Sequence, residues 1–353
     1  MKILYVITGL GLGGAERVVV DLADEMTNLG NTVVIAYLTG EIVVRPKNKD
    51  IELISLNLNS ITQLYKVSRK YRKLVGDFKP DVVHAHMIHA NIFARLNRIG
   101  CPVPKLICTA HNSNEGGKVR MIAYRFTNFL SNYNTNVSSE ATEALINKGA
   151  FTSQNLKTIY NGIDLKKFNL NYDFDKEDKI VFLTVGRFNK QKDYPNLLRA
   201  IYLFKQEYHK DFIFYIVGDG ELKEQIVSLI EELNLCDCVK LLGKRSDIPL
   251  LMNKADYFVL ASEFEGFGLV IAEAMACGTF VISTDSGGVA EVMGETGILV
   301  PIKNSELLSK ALLSATSLSE EKINTNRFLA LNRVEEKFSL QASVTKWLEI
   351  YAA

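Results

Sequence analysis

The chain has no run approaching the roughly 18 apolar residues of a membrane span, which excludes an ordinary transmembrane helix. Its 5 cysteines are an odd, scattered set, so a disulfide framework is excluded and a reducing compartment, the cytoplasm, is expected. Cys236-Asp237-Cys238 has no partner pair and argues against zinc. Met1-Lys2-Ile3 leads straight into a strand-like run without a small-residue cleavage site, and no signal peptide is expected. An excess of charge of one sign is also lacking. The 41 Lys+Arg against 40 Asp+Glu leave +1, where a nucleic-acid-binding chain would usually be more basic.

What is present is 353 residues, 47% hydrophobic and 23% charged, enough for two domains with separate cores. The near-zero charge is divided unevenly. Residues 1–168 hold 21 basic and 13 acidic side chains, residues 169–353 hold 20 and 27. A basic first half suits an anionic surface or an anionic acceptor.

Apolar runs alternate with stretches of helical periodicity along the whole chain, which predicts parallel sheets covered on both faces. In the first half the strands are Lys2 to Ile7, Val33 to Leu38, Leu53 to Leu56, Asp81 to His86, Lys105 to Ala110, Thr135 to Ser138 and Leu156 to Tyr160. Helices are expected over 61–75, near 91–99 and over 139–149. Residues 169–179 are polar and acidic and read as a linker. The Asp173-Phe174-Asp175 within it imitates a DxD metal motif but does not end a buried strand, so no metal site is read there. The second half repeats the alternation and closes with helices over 305–317, 320–334 and 340–351.

The densest chemistry lies between Ser262 and Glu291. A strand-like run, Tyr257 to Leu260, delivers a glycine-flanked turn into a helix. Glu265 sits in the turn and Glu273 lies about two helical turns on. The N–H groups around Phe267, Leu269 and Val270 form an anion site at a helix start, and Gly266 and Gly268 let a phosphate approach the backbone. A phosphate-sized positive pole between two carboxylates suits a nucleotide sugar: Glu265 for sugar hydroxyls, Glu273 for the ribose diol. An ordinary amphipathic helix with a solvated Glu273 fits the same residues.

Other candidates end strands. Arg187 and Lys192, five residues apart in one loop, can grip a diphosphate. Gly9-x-Gly11-x-x-Gly14 satisfies the dinucleotide fingerprint, yet the second strand ends Tyr37-Leu38-Thr39 without the acid an NAD site wants, so Gly13 and Gly14 read better as backbone approached by a diphosphate or an acceptor. His84, His86 and His89 resemble a metal cluster that no nearby carboxylate completes; they equally line the end of a strand and the loop after it. His111 follows a strand at the end where open parallel sheets bind ligands. The stretch 66–73 is a basic amphipathic helix, Lys66, Arg69, Lys70, Arg72 and Lys73 beside Leu64, Tyr65, Tyr71 and Leu74, suited to a solvated face or to anionic lipid headgroups. A second apolar stripe, Met121, Ile122, Tyr124, Phe126, Phe129 and Leu130 around Arg120 and Arg125, lies within Lys118 to Tyr133, explained by a membrane or lipid-linked substrate or by burial on the domain's own sheet.

Glu265 to Glu273, followed by Ala-Met-Ala-Cys-Gly and Gly-Gly-Val-Ala-Glu, resembles the E-x7-E signature of family 4 glycosyltransferases. Gly13-Gly14-Ala15-Glu16-Arg17, Thr109-Ala110-His111-Asn112, Asn161-Gly162-Ile163-Asp164, Val185-Gly186-Arg187 with Lys192, and Gly218-Asp219-Gly220 are similar to the family's other landmarks, in the family's order. Asp193 departs from it, standing where the family often has Gly. The resemblance implies an α/β GT-B architecture: two Rossmann-like domains facing across a cleft, with residues 1–168 on the acceptor side, residues 169–339 holding the donor, and a last helix near 340–353 packed back on the first domain.

It further implies retaining, metal-independent transfer from a nucleotide sugar, with no cofactor. His111, Arg187, Lys192 and Glu265 would be the catalytic set, His111 touching the donor sugar. Gly13, Gly14, Gly243, Gly266, Phe267, Gly268, Leu269, Val270 and Glu273 would hold the donor. The expected reaction moves a hexosyl unit, N-acetylgalactosamine from UDP-GalNAc by preference, to a lipid diphosphate-linked saccharide in O-antigen or other surface-polysaccharide synthesis, on the inner face of the cytoplasmic membrane. A transferase of glucose, galactose or N-acetylglucosamine, a nucleotide-sugar epimerase and an NAD-dependent oxidoreductase are the alternatives.

Overall fold

A computed structural model describes residues 1–113, 116–171 and 177–353, and the chain divides into two compact units. Asp173-Phe174-Asp175 lies outside the described residues.

Unit 1 spans Met1–Gly162 and Leu340–Ala353. Its elements are β1 (Lys2–Ile7), α1 (Gly14–Asn28), β2 (Thr32–Tyr37), β3 (Glu52–Ser55), α2 (Leu64–Phe78), β4 (Val82–His86), α3 (Ile88–Arg98), β5 (Lys105–Ala110), α4 (Lys118–Thr127), β6 (Tyr133–Asn136), α5 (Ser139–Asn147) and β7 (Lys157–Thr158). Among the described residues they form one parallel sheet in the order β3-β2-β1-β4-β5-β6-β7. Unit 2, Ile163–Ser339, continues with β8 (Ile180–Val185), α6 (Tyr194–Glu207), β9 (Phe212–Val217), α7 (Lys223–Glu232), β10 (Val239–Gly243), α8 (Ile248–Lys254), β11 (Tyr257–Leu260), α9 (Leu269–Ala276), β12 (Phe280–Thr284), α10 (Val289–Met293), β13 (Ile298–Val300), α11 (Ser305–Thr316) and α12 (Glu320–Phe338). Its parallel order is β10-β9-β8-β11-β12-β13. The last helix, α13 (Leu340–Ala352), belongs to unit 1.

Both orders reverse direction once, between β1 and β4 and between β8 and β11. Loops leaving two strands that diverge from such a point open a crevice at their C-terminal ends, where ligands of doubly wound sheets sit.

The strands form because near-continuous Val, Ile, Leu and Phe runs are covered on both faces. In β4, Val83 and Ala85 join the core beneath α2 and α3, while Val82 turns to the opposite face with α1 and α13. His84 and His86 share that opposite face by the two-residue period of a strand. In unit 2, Phe182 stacks on Phe214 with centroids 4.3 Å apart, under α6 and α11.

Several boundaries differ from the sequence expectations. The helix expected near Asn91 begins at Ile88, since Met87 adopts φ 72°, ψ 153° and its carbonyl accepts from Asn91 N–H at 2.9 Å. His89 is thus helical and exposed instead of lying in a loop. The stripe from Lys118 onward is α4 plus a single 3₁₀ turn, and the next strand starts at Tyr133, two residues earlier than its pattern indicates. Phe267 precedes α9, whose first residue is Leu269. At Asp193 the backbone is left-handed, φ 44°, a conformation that glycine takes without strain. Aspartate tolerates it here because its carboxylate caps α6, accepting from Asn196 N–H.

Candidate active site

In unit 2 the candidates gather at the β8/β11 reversal. Lys192 follows β8 and Glu265 follows β11, and Lys192 Nζ donates to Glu265 Oε1 at 2.6 Å. Both side chains are largely covered, 16% and 12% exposed, so the pair is only weakly screened by solvent. Ser262 Oγ donates to the same Oε1 at 2.7 Å. Gln191 ties the two loops together through their backbones: its amide nitrogen donates to Phe264 O at 2.8 Å and its carbonyl accepts from Glu263 N–H at 2.8 Å.

The loop carrying Glu265 is built against a second one. Glu265 N–H donates to Ser286 O, and its carbonyl accepts from Gly288 N–H. A Cβ at Gly288 would come within 2.6 Å of Gly266 O and 2.9 Å of Phe267 Cα. Only glycine permits this approach. Gly268 caps α9 at φ 87°, where glycine is again favoured, and Phe267 packs edge-on against Phe338 at 5.4 Å. Leu269 and Val270 then open the helix, so their N–H groups point out of its positive end. Glu273, half-buried, stands on α9 itself.

Arg187 is solvent-facing and pairs with Glu221 at 3.5 Å, apart from the Lys192–Glu265 contact. Gly243 ends β10 at φ 66°, and its carbonyl accepts from Gly218 N–H at the end of β9. The structure thus joins Lys192 to Glu265, sets Gly266 to Val270 after them on the β11 side, and places Arg187 and Gly243 after β8 and at the end of β10, two strands apart in the same sheet.

In unit 1 the reversal lies between β1 and β4. Gly13 and Gly14 are exposed at the head of α1, immediately after β1. At the end of β2, Thr39 Oγ1 donates to Asn59 Oδ1 at the place where a dinucleotide site would need a carboxylate. His111, half-buried after β5, lies beside His86: His86 Nδ1 and His111 Nε2 are 3.0 Å apart. His84 is bonded at both ring nitrogens, to Tyr351 Oη at 2.6 Å and Thr109 Oγ1 at 2.7 Å, and its ring packs against that of His86 with centroids 4.0 Å apart. Trp347 of α13 covers it at 4.4 Å. The loop after His111 is held by Asn136 Nδ2 on Asn112 O and by Lys148 Nζ on Ser113 O.

Burial keeps all three imidazoles neutral. His111 is pushed down to about 4, and His84 and His86 fall well below the usual histidine range, with neighbouring histidine charge adding to the effect. Among the described residues no group of His, Cys, Asp and Glu is placed to hold a metal ion, and His84, His86 and His89 do not converge.

Sequence reasoning missed Ser262, Gln191 and the partner role of His86. Ser262 adjoins the motif and could have been found from it. Gln191 carries no signal of its own, because its bonds cross between loops 73 positions apart.

Comparison with known proteins identifies the family. The model described as Glycosyltransferase Family 4 matches residues 12–167, and that described as Glycosyl transferases group 1 matches residues 169–327. The chain belongs to the family 4 glycosyltransferases and is a glycosyltransferase of GT-B type, with two Rossmann-like parallel-sheet units. It is 28% identical, over 91% of both chains, to N-acetylgalactosamine-N,N'-diacetylbacillosaminyl-diphospho-undecaprenol 4-alpha-N-acetylgalactosaminyltransferase of Campylobacter jejuni. It is 28% identical, over 86% of this chain and 81% of the relative, to UDP-Gal:alpha-D-GlcNAc-diphosphoundecaprenol alpha-1,3-galactosyltransferase of Escherichia coli. A solved glycosyltransferase from Rickettsia africae superposes with a TM-score of 0.86 at 24% identity, covering 99% of this chain and 97% of that one, and so shares the fold.

Proposed function

We propose that the protein transfers a hexosyl unit, N-acetylgalactosamine from UDP-GalNAc in the first instance, with retention and without a metal, to a saccharide on undecaprenyl diphosphate during assembly of a surface polysaccharide. The observation that carries the reading is the Lys192–Glu265 pair beside the amino end of α9. A departing nucleoside diphosphate needs positive charge held in place, and Lys192, Arg187 and the first α9 amides supply it. Glu265 then faces the sugar hydroxyls and Glu273 the ribose. The anomeric carbon–phosphate oxygen bond breaks as the acceptor hydroxyl bonds to that carbon from the same face, and the hydroxyl proton passes to the leaving phosphate. Gly13, Gly14 and His111 act from unit 1, on the diphosphate or acceptor and on the sugar. The donor and acceptor classes are supported by the names of the Campylobacter and Escherichia relatives.

A lipid-linked acceptor calls for a membrane-facing surface. In α4, Met121 and Tyr124 are buried, whereas Val119, Ile122, Phe126 and Phe129 on the helix and the turn after it are 54–79% exposed among Lys118, Arg120 and Arg125. The five cations of α2 are exposed as well. Exposed aromatics among cations match the interface of an anionic bilayer. No helix among the described residues is long and apolar enough to cross one.

The test is incubation with UDP-GalNAc, UDP-galactose, UDP-glucose and UDP-N-acetylglucosamine, with and without undecaprenyl diphosphate-linked saccharide and EDTA. Product mass and the anomeric coupling constant are read. Acceptor-dependent α-product unaffected by EDTA is expected. Epimerised sugar formed without acceptor would overturn the reading.

A further inference from the structure

His86 is 1% exposed, and its Nε2 has no hydrogen-bond partner among the described residues, while its Nδ1 faces His111 Nε2 at 3.0 Å. A neutral imidazole carries one N–H and one bare nitrogen. Two arrangements of the pair are therefore open. If His111 donates, His86 must carry its proton on Nε2, a buried N–H with nothing to receive it. If His86 donates from Nδ1, its enclosed Nε2 is only a bare acceptor, and an orphaned acceptor is tolerated more readily than an orphaned donor.

We propose that His86 is a positioning residue which donates its Nδ1–H to His111 Nε2 and so fixes the His111 proton on Nδ1. His111 then acts toward the sugar as a hydrogen-bond donor of defined direction. This rests on the reading of His111 as the residue that meets the donor sugar.

The surroundings hold His86 in that attitude. Its ring packs at a 34° tilt against His84, 4.0 Å between centroids, and His84 is pinned at both nitrogens by Tyr351 and Thr109. Tyr5 lies against both rings, 5.7 Å from His84 and 5.8 Å from His86, and its hydroxyl lies 3.1 Å from that of Tyr351. The next residue, Met87, has the positive φ noted above, and its N–H donates to Thr109 O. That sparsely populated backbone, tied to β5 through Thr109, fixes the end of β4 directly after His86.

The experiment is long-range ¹⁵N–¹H NMR of histidine-labelled protein, which has only 5 histidines to resolve, joined to kinetics. In the wild type the His111 pattern is that of the Nδ1–H tautomer. His86→Leu lets His111 drift toward Nε2–H and lowers kcat on the order of tenfold or more, with the donor KM nearly unchanged. His86→Asn, whose amide nitrogen can occupy the Nδ1 position, keeps the tautomer and restores most of kcat. An Nε2–H tautomer in the wild type would overturn the proposal, as would equal losses in the two variants with the tautomer unmoved. The wild-type spectrum decides the tautomer even if His86→Leu does not fold. Because it requires no turnover, it also separates failure here from failure of the transferase reading.

Discussion

Lys192 and Glu265 are 73 positions apart in the chain and 2.6 Å apart in space, joined across the point where the strand order of unit 2 reverses. Removing one member leaves the other charge enclosed, at a cost of about 2 kcal/mol or more. Lys192→Met and Glu265→Leu should each lower the unfolding temperature by several degrees and cut transfer about 100-fold or more. The double variant should regain stability without regaining transfer. Turnover restored in the double variant would reduce the pair to a structural role.

Gly288 is where two loops come too close for any side chain. Gly288→Ala pushes a methyl against backbone atoms of Gly266 and Phe267 that cannot swing aside, so a loss of about 1–3 kcal/mol is expected, together with a weaker thermal shift by UDP. Gly76→Ala, within α2 and open to solvent, should instead stabilise by about 0.5–1 kcal/mol. Urea titration of both variants separates the two effects.

The exposed rings of Phe126 and Phe129 should matter only at a bilayer. Phe126→Ser with Phe129→Ser is expected to reduce sedimentation with anionic vesicles at least tenfold, since about 1.5–3 kcal/mol attends burial of each ring. Transfer to a water-soluble acceptor should be unaffected. Equal binding of variant and wild type to anionic vesicles would remove α4 from the interface.

Acid should weaken unit 1 early. The folded pKa values of His84, His86 and His111 lie below 6.5, so in mildly acidic solution the unfolded chain binds protons that the folded one refuses. The stabilising contribution is complete above about pH 6.5 and is lost as pH falls toward the folded values, by up to about 1.4 kcal/mol per pH unit for each histidine. A melting temperature that declines between pH 6.5 and 4.5, less steeply in His86→Asn, is the expected result. A flat profile would show that the imidazoles charge freely in the fold.

Much of the alternation of strand and helix was legible, because each strand is a short apolar run and each helix shows a regular stripe. Order within a sheet was not. The linear pattern says nothing of β8 lying beside β11, and so nothing of Lys192 touching Glu265 or of Gln191 bridging their loops. Period also cannot tell which apolar residues a domain covers: Met121 and Tyr124 are buried while Ile122 and Phe126 on the same helix are not. The spacing of His84 and His86 left a metal cluster and a lined cleft both open, because alternation on a strand reveals the shared face but not the partners there: Tyr351 and Trp347 of α13 and Thr109 for His84, and His111 for His86. Asp193 stood out as a departure from the family pattern; its left-handed backbone accounts for the glycine usually found there.

The bond between Tyr5 and Tyr351 joins residues separated by 346 positions. Leu340, Val344, Trp347 and Tyr351 complete a core that otherwise draws on β1, α1, β2 and single residues of β4 and β5, with the whole of unit 2 lying between them in the chain. Unit 1 therefore waits for unit 2 to be synthesised before its core is complete: until α13 emerges, the faces of β1 and β4 that it covers stay partly open. At the usual 5–20 residues per second, that wait lasts on the order of ten seconds or more, during which the nascent unit depends on chaperones or its own partial packing.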